Sequence, residues 1–563
     1  MNPVKLTHRL TTHLAHLQPS TWFETAISAL SPKWAYQRAQ YRAAAGVLQK
    51  QKFSSTYRGA EKNRLRTDWT VSGGSADADL LDDLPTLRER SRDLDRNDPW
   101  ARSVYNTIAV NTIGTGLVPQ SQVNPDDVGA DPDTVRTWQR ATERIWRQHM
   151  PYLDLQQRVH GMIKQVVLFR SVIQSGDALD LPVRVTPGGR RALGFTTEMI
   201  EGDRLRTPTD LPTDERSRVR DGVELNDAGI PHAYWIVNHH PGDLYLSHVP
   251  KDFATNRFTR YPARNALGQP NLYHLFWTLR PGQNRGEPWM APALSIFKDL
   301  GDFMEAKIVA ERVGACFGVV IKKSDPMGAM AANTTQQANG QRWESVEPGG
   351  VNYLETGEDI TAFSPDLKGT DLDQFVQVFV RQMGAAIGLP YELITKDFTK
   401  TTWHSARASL LETWRFFRLY QAWFAAVYLQ PMWEAVQLEA WSRGLLPPVD
   451  LLGPNMADWL RTRWVPPGRG YIDPVREISA SLEAIKGGLS TYSDELAQQG
   501  KDWEEIMEQQ QREAEKRKDL GLDQEPEPTP SPTDPGTISR DELPDDVNQA
   551  IEDVIGTGGG RIS

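Results

Sequence analysis

The chain has 563 residues and a formal net charge of −10, with 39% hydrophobic and 24% charged residues. One core seldom grows beyond roughly 250–300 residues, so several domains are expected, in a globular protein with some flexible parts. The acidic balance, with a pI near 5.7, argues against tight sequence-specific nucleic-acid binding, which calls for a basic face.

Residues 1–79 mix short amphipathic pieces with polar stretches and read as an arm. Trp22, Phe23, Ile27 and Leu30 fall on one helical face, 36–50 reads as a second helix, and 54–78 as loose chain. Residues 80–113 predict helix, with Asp98–Pro99 as an N-cap and first turn and Gly114 or Gly116 as the stop. Further helices are predicted over 133–149, with Trp138, Ile145 and Trp146 on an apolar stripe, and over 157–173. From 177 to 290 short apolar runs (ALDLPVRV, LGFTTEMI, HAYWIVN, NLYHLFW) alternate with Gly, Pro and Asp turns, the pattern of a compact β-rich domain. Helix returns over 291–313. Residues 314–368 hold short strands, including GVVIKK and VNYLETG, around the polar loop MGAMAANTTQQANGQ.

Over 371–388, Leu372, Phe375, Val376, Phe379, Val380, Met383 and Ile387 recur at helical spacing, and Gly388 and Pro390 end the run. Residues 403–430 predict a long helix, roughly 40 Å at about 1.5 Å per residue, which Pro431 should kink or break. Its aromatics, Trp403, Trp414, Phe416, Phe417, Tyr420, Trp423, Phe424 and Tyr428, occupy more than one face. That predicts burial within the subunit, between subunits, or both. Residues 474–515 read as one or two helices that become highly charged. The stretch 521–540, rich in Pro and acid and without aromatics, reads as disordered. RDELPDDVNQAIEDVIG after it suits either a short helix on a partner or a solvated tail.

Cys316 is the only cysteine, which excludes an intramolecular disulfide and fits a reducing compartment. No run of about 18 apolar residues occurs, so no transmembrane helix is expected. The start, MNPVKLTHRLTTHLAHLQPS, has no signal-peptide core, and assembly in the cytoplasm is expected. The 18 Trp residues suit several aromatic cores or contacts beyond the chain's own core. No G-x-x-x-x-G-K-[ST] phosphate loop, G-x-S-x-G elbow, H-E-x-x-H pair or cysteine cluster is found. GTGLVP at 114–119 lacks a third dinucleotide-fingerprint glycine and reads as a helix stop. His239 and His240 beside Asp243 lack further local metal ligands, and Asp82–Asp83 and Asp126–Asp127 suit solvation or helix capping better than acid–base work. No catalytic site, metal or cofactor is expected.

Five ordered segments carry a resemblance: DRNDPWARSVYNTIAVNTIGTGLVPQ at 95–120; GDRLRTP at 202–208 with GVELNDAGIPHAYWIVNHHPGD at 222–243; LRPGQNRGEPWMAPAL at 279–294, the most specific; LETGEDITAFSPDLKGTDLDQFVQVFVRQMGAAIGLPYELITKDFTKTTWHSARASLLETWRFF at 354–417; and WVPPGRGYIDPVREISASLEAIKGGLSTYSDELAQQGKDWEEI at 464–506. Together, over roughly 80–510, they resemble the lambda-type family of tailed-bacteriophage portal proteins. One departure is Trp403-His404-Ser405-Ala406-Arg407, where the family usually reads like Tyr-Ser-Ser-Ala-Arg; it bears on the shape of the loop before the long helix.

The resemblance implies an α+β portal fold with an α/β wing, long stem helices, a small α/β clip and a helical crown, in a ring oligomer. Mapped onto the elements above, the wing takes 80–290 with part of 403–469, the stem helices 291–313 and 371–388, and the clip 314–370. The tunnel loop takes 389–402, the crown 470–515, and 516–563 is an acidic, Pro-rich tail. It further implies a ring of about twelve subunits at one capsid vertex, which passes double-stranded DNA without reading it. Partners would be the terminase large subunit, the major capsid protein or scaffold, and a head–tail connector or adaptor, with no membrane. Lys396, Thr399, Lys400, Thr401 and Thr402 become DNA-channel candidates, because ammonium groups and hydroxyls touch phosphates without reading bases. Lys322 and Lys323 become clip partner-contact candidates, and Phe375, Val376, Phe379 and Val380 the stem packing face. An acidic duct to which DNA does not stick is consistent with the net charge. The alternatives are another phage head protein, capsid or connector, or a metal-dependent nuclease.

Overall fold

The computed structural model describes residues 73–245, 257–315, 318–323, 358–363, 372–399, 401–468, 470 and 473–520. The chain divides into two units, Met1–Ser75 and Ala76–Ser563, and the described elements lie in the second. The predicted arm helices, the loop MGAMAANTTQQANGQ and the tail beyond 520 fall outside the described residues.

Helices α1 (Leu84–Asn97) and α2 (Pro99–Thr112) meet at Asp98. Its N–H donates to the Leu94 carbonyl, ending α1, and its carboxylate accepts the Ala101 N–H at 2.7 Å, starting α2. The predicted stop is present: Gly114 and Gly116 both have positive φ, and a Cβ on Gly116 would lie 2.7 Å from the Met162 side chain. The chain then forms β1 (Val118–Ser121), a strand the sequence reading did not contain. Helix α3 (Pro132–His149), capped by Asp131, buries Val135, Trp138, Thr142, Ile145 and Trp146 on one stripe. Helix α4 (Gly161–Ser175) begins at a His160 cap.

Strands β2 (Asp177–Arg184), β3 (Phe195–Glu201), β4 (Val219–Arg220), β5 (Val223–Leu225), β6 (Pro231–Val237), β7 (Phe258–Pro262) and β8 (Tyr273–Phe276) form two antiparallel sheets, ordered β3-β2-β8 and β4-β5-β6-β7. The alternation along β2 decides how they pack. Ala178 joins the helical core with Phe195, Tyr273 and Leu275, while Leu179 and Leu181 face a second core with Ile200, Leu205, Val223, Tyr234 and Ile236. The β-rich stretch is therefore not a free-standing domain: its first sheet shares a core with helices on both sides of it in sequence.

Helix α5 (Leu294–Ala315) leaves that core partway along. Leu294, Phe297 and Leu300 are buried, and none of the residues 301–312 is. Strands β9 (Gly318–Lys323) and β10 (Glu358–Phe363) pair antiparallel, and α6 (Leu372–Ile387) follows. A short helix, α7 (Tyr391–Thr395), lies where a loop was expected over 389–402; Pro390 sets its start, and Lys396 at φ +60 ends it.

The long helix does not end at Pro431. Helix α8 (Trp403–Phe424) passes through a π-helical turn (Ala425–Leu429) into α9 (Gln430–Ser442). A proline lacks the N–H of the regular ladder and crowds the preceding turn, and the wider π turn just before Pro431 relieves both. Strand β11 (Thr462–Val465) pairs with β1, joining the two ends of the helical core. Helices α10 (Pro474–Lys486), α11 (Tyr492–Gln498) and α12 (Trp503–Asp519) close the described chain.

Candidate functional site

The feature that stands out is the limb made by α5 and α6. Where α5 leaves the core it is covered on one side by α6: the Phe303 and Phe375 rings lie 4.7 Å apart, as do Phe375 and Phe379. Val380, Met383 and Ile387 of α6 are buried, and Val376 and Phe379 are half-buried against the same core. Phe375, Val376, Phe379 and Val380 thus lie on the side of α6 toward α5 and this core. The opposite side stays uncovered: Ile308 is 49% exposed, Val309 51% and Val378 59%. On the long helix Phe417, Phe424 and Tyr428 are buried, whereas Leu411, Phe416, Leu419 and Val427 are exposed, so its apolar surface is only partly used within one chain.

The β9–β10 pair sits in sequence between α5 and α6. Its register sets Lys322 opposite Asp359 and Lys323 opposite Glu358; the side chains of both lysines lie outside the described residues, as does Lys400.

The remaining residues of the 389–402 candidate set are described. Lys396 Nζ donates to Thr107 Oγ1 of α2 at 2.5 Å, and partial burial lowers its pKa from the ordinary lysine value. Thr399 Oγ1 donates to Asp397 at 2.6 Å, Thr401 Oγ1 donates to Glu392 at 2.7 Å, and Thr402 Oγ1 accepts the Ser405 N–H to cap α8. The hydroxyls are thus spent on shaping the segment, while Thr399 and Lys396 remain largely exposed.

Two buried ionic clusters tie β2 to the segments packed around it, and neither was singled out from sequence. Asp177, fully buried at the start of β2, receives Arg88 of α1 and Arg285, each at 2.6 Å, with His274 Nε2 3.3 Å away. Arg285 is itself fully buried and also donates to the Leu205, Gly202 and Asp221 carbonyls. Burial raises the Asp177 pKa, but Arg285 and Arg88 overcome it and hold the carboxyl well below its usual range. Arg285 is the second arginine of LRPGQNRGEP, so a sequence signal existed; its role was hidden because its partners lie far away in sequence. The second cluster is Lys164, buried, which donates to Thr197 O at 2.7 Å and pairs with Asp180 at 3.0 Å. Asp180 also accepts from Tyr428 Oη at 2.7 Å, so the π turn of the long helix is tied to β2.

Among the described residues, one group brings three possible metal ligands together: Glu201, Asp203 and His240, with ligand atoms within 4.8 Å of one another. Sequence pointed to His240 but not to the two carboxylates, which β3 and the turn after it supply. Each is engaged. Asp203 pairs with Arg92 at 2.5 Å, and His240 Nδ1 accepts the Gly242 N–H at 3.0 Å. That bond leaves the proton of the neutral ring on Nε2, the nitrogen facing Glu201 at 3.0 Å, where a metal would need a lone pair. The arrangement suits a surface ion-pair cluster better than a metal centre.

A family model described as phage portal protein, lambda family, matches residues 62–421, so the chain belongs to the lambda family of phage portal proteins. A probable portal protein of Halomonas phage phiHAP-1 is 24% identical over 462 residues, covering 81% of this chain and 85% of the relative. The portal protein of Escherichia phage N15 is 25% identical over 474 residues (79% and 86%), and portal protein B of Escherichia phage lambda is 24% identical over 477 residues (79% and 86%). Among solved structures, a chain of the virion of a native gene transfer agent particle aligns at 14% identity and a TM-score of 0.40, covering 77% of this chain and 95% of that one. A chain from the neck of the native gene transfer agent particle, computed with C12 symmetry, aligns at 16% identity and 0.38, covering 74% and 93%. Portal proteins are structural and non-enzymatic. Among the described residues no helix is long and apolar enough to cross a membrane.

Proposed function

We propose that copies of this chain, about twelve, close into a ring at one capsid vertex, through which double-stranded DNA enters and leaves. The observation that carries this reading is the limb: a helix pair that leaves its own core with one side covered and Ile308, Val309 and Val378 bare. A lone chain gains nothing from exposing such a face, whereas a neighbouring copy would cover it. In this reading α5 and α6 line the channel as the stem. The β9–β10 pair, with Lys322 and Lys323, is the clip that meets the terminase large subunit and later the head–tail connector. The segment 389–402 is the tunnel loop, with Lys396, Thr399, Lys400, Thr401 and Thr402 nearest the DNA. The wing combines 80–290 with the long-helix region and faces the capsid or scaffold, and α10–α12 form the crown. The chain contributes geometry, and the motor contributes the energy.

The deciding experiment is native mass with electron microscopy of the same fraction. Twelve copies of a 63.4 kDa chain make about 760 kDa, with a central hole. A protein that stays small in the presence of capsid and scaffold refutes the ring.

A further inference from the structure

Arg136, Arg140, Arg144 and Arg147 recur at i, i+4, i+8 and i+11 of α3, all exposed, on the side away from its buried Trp138, Thr142 and Ile145. At about 1.5 Å per residue they make a guanidinium row about 16 Å long. Helix α12 lies over this row by charge. Glu508 pairs with Arg140 at 2.7 Å and Glu505 with Arg147 at 2.6 Å, while Asp502 and Glu504 border the same surface.

Among the described residues, no other ion pair joins α12 to the rest of the fold. The helix buries none of its side chains, and both partners of each ion pair are more than half exposed. An open cleft of about 730 Å³, lined by Val118, Val465 and Ile506 and by charged groups that include Arg147, Glu505 and Arg512, runs beside α12. The helix supports itself instead. Asp502 caps it, Glu504 and Glu505 sit at its start and Lys516, Arg517 and Lys518 at its end, in the order that suits the helix dipole. Gln509–Glu513 and Gln511–Glu515 bonds run along its surface. Gly500, with positive φ, connects it to the rest of the fold.

We propose that the arginine face of α3 is a docking surface for the phosphate backbone of double-stranded DNA, and that α12 is a detachable acidic strap covering it. The strap's own chemistry indicates the occupant: its glutamates pair with Arg140 and Arg147, while Arg136 pairs with Asp133 of its own helix, and guanidinium forks bind phosphate as they bind carboxylate. Double-stranded DNA presents one charge per about 1.7 Å of axis, denser than the three glutamates, so it displaces the strap at low salt and yields to it at high salt. The choice of DNA among polyanions rests on the reading of this chain as a DNA conduit.

The test uses the full chain and a labelled 30-base-pair duplex, chosen as a probe of about three turns, followed by fluorescence anisotropy across a salt series. Hydrogen exchange of residues 503–519 and native mass are measured on the same samples. The strap-releasing variant Glu505→Gln/Glu508→Gln is expected to bind the duplex about tenfold more tightly than the parent at low salt. In the parent, the duplex is expected to speed exchange in α12, since a detached helix of that length is marginal. Adding Arg136→Ala, Arg140→Ala, Arg144→Ala and Arg147→Ala to the released variant should cancel the gain and lower the salt slope by up to about 3.6; Lys at the four positions should restore most of both. A released variant that assembles as the parent does but binds no more tightly overturns the proposal and leaves the ring reading intact. So does a gain that survives loss of the arginines. Binding of a synthetic acidic peptide with the sequence of 537–556, without binding of the duplex, overturns DNA as the occupant.

Discussion

Asp177→Asn tests whether the buried ionic junction holds α1, β2 and the segment before α5 together. The substitution keeps shape and removes one charge. Arg285 retains the Asp221 carboxylate, but Arg88 loses the only carboxylate it is paired with among the described residues, in a site where its side chain is 4% exposed. The new amide also points a donor at a guanidinium that can only donate. Breaking a buried pair by removing one partner costs about 3–5 kcal/mol. For a folding unit of about 150–250 residues each kcal/mol moves the midpoint by about 2–4 °C, so the transition reporting this core should fall by about 6–20 °C in differential scanning calorimetry. The pH dependence carries a second check. The folded pKa of Asp177 lies below its unfolded value, so its contribution is fully present above about pH 4 and is lost as pH falls through the lower folded pKa. The deficit of the variant should therefore be constant from about pH 5 to 8 and narrow only in acid. An Asp177→Asn protein that melts within about 2 °C of the parent across that range would show that the junction does not carry the load assigned to it.

Glu143 makes the opposite pH prediction. Burial, with Asp502 and Glu504 nearby, pushes its pKa up to about 7 despite the Ser121 N–H it accepts. A raised acid gives stability that is complete below its unfolded pKa and lost as pH rises through about 7. Glu143→Gln, which keeps the acceptor, should thus be more stable than the parent at pH 8 by up to about 3 kcal/mol and lose that advantage near pH 5, as read by thermal melts at the two pH values. On the limb, Val380→Asp places a charge where exposure is 0% and should cost several kcal/mol, more than Val376→Asp or Phe375→Asp at half-buried positions; loss of ring-sized native mass follows that order, and an unchanged mass for Val380→Asp would refute the packing face. Lys396→Ala with Lys400→Ala should leave assembly intact and alter DNA packaging or retention, with about 1 kcal/mol lost from the Thr107 bond. Normal packaging and retention would remove support for the tunnel-loop role.

What could be read in the sequence was what repeats over short distances. The Asp98–Pro99 junction, the α3 stripe, the α6 face and the two glycines after α2 each arise from neighbours a few residues apart, and each is present in the fold. Four of the five family segments, those between 95 and 417, lie within the residues 62–421 that the family model matches. Local rules failed where a distant group intervened. Pro431 was expected to kink or break the long helix; the helix continues through it, because a π turn relieves the proline and Tyr428 within that turn is held by Asp180.

The tertiary structure alone decided which charges are buried together. Arg88, Asp177 and Arg285 carry no local pattern, and their pairing exists only because α1, β2 and the segment before α5 converge. The same holds for β1 with β11 and for the acidic face of α12 over the arginines of α3. Secondary structure follows from hydrogen bonds and side-chain spacing within a few residues, so one sequence suffices to read it. Burial of an ion depends on desolvation, which every segment packed around it sets at once, so it becomes visible only in the folded chain.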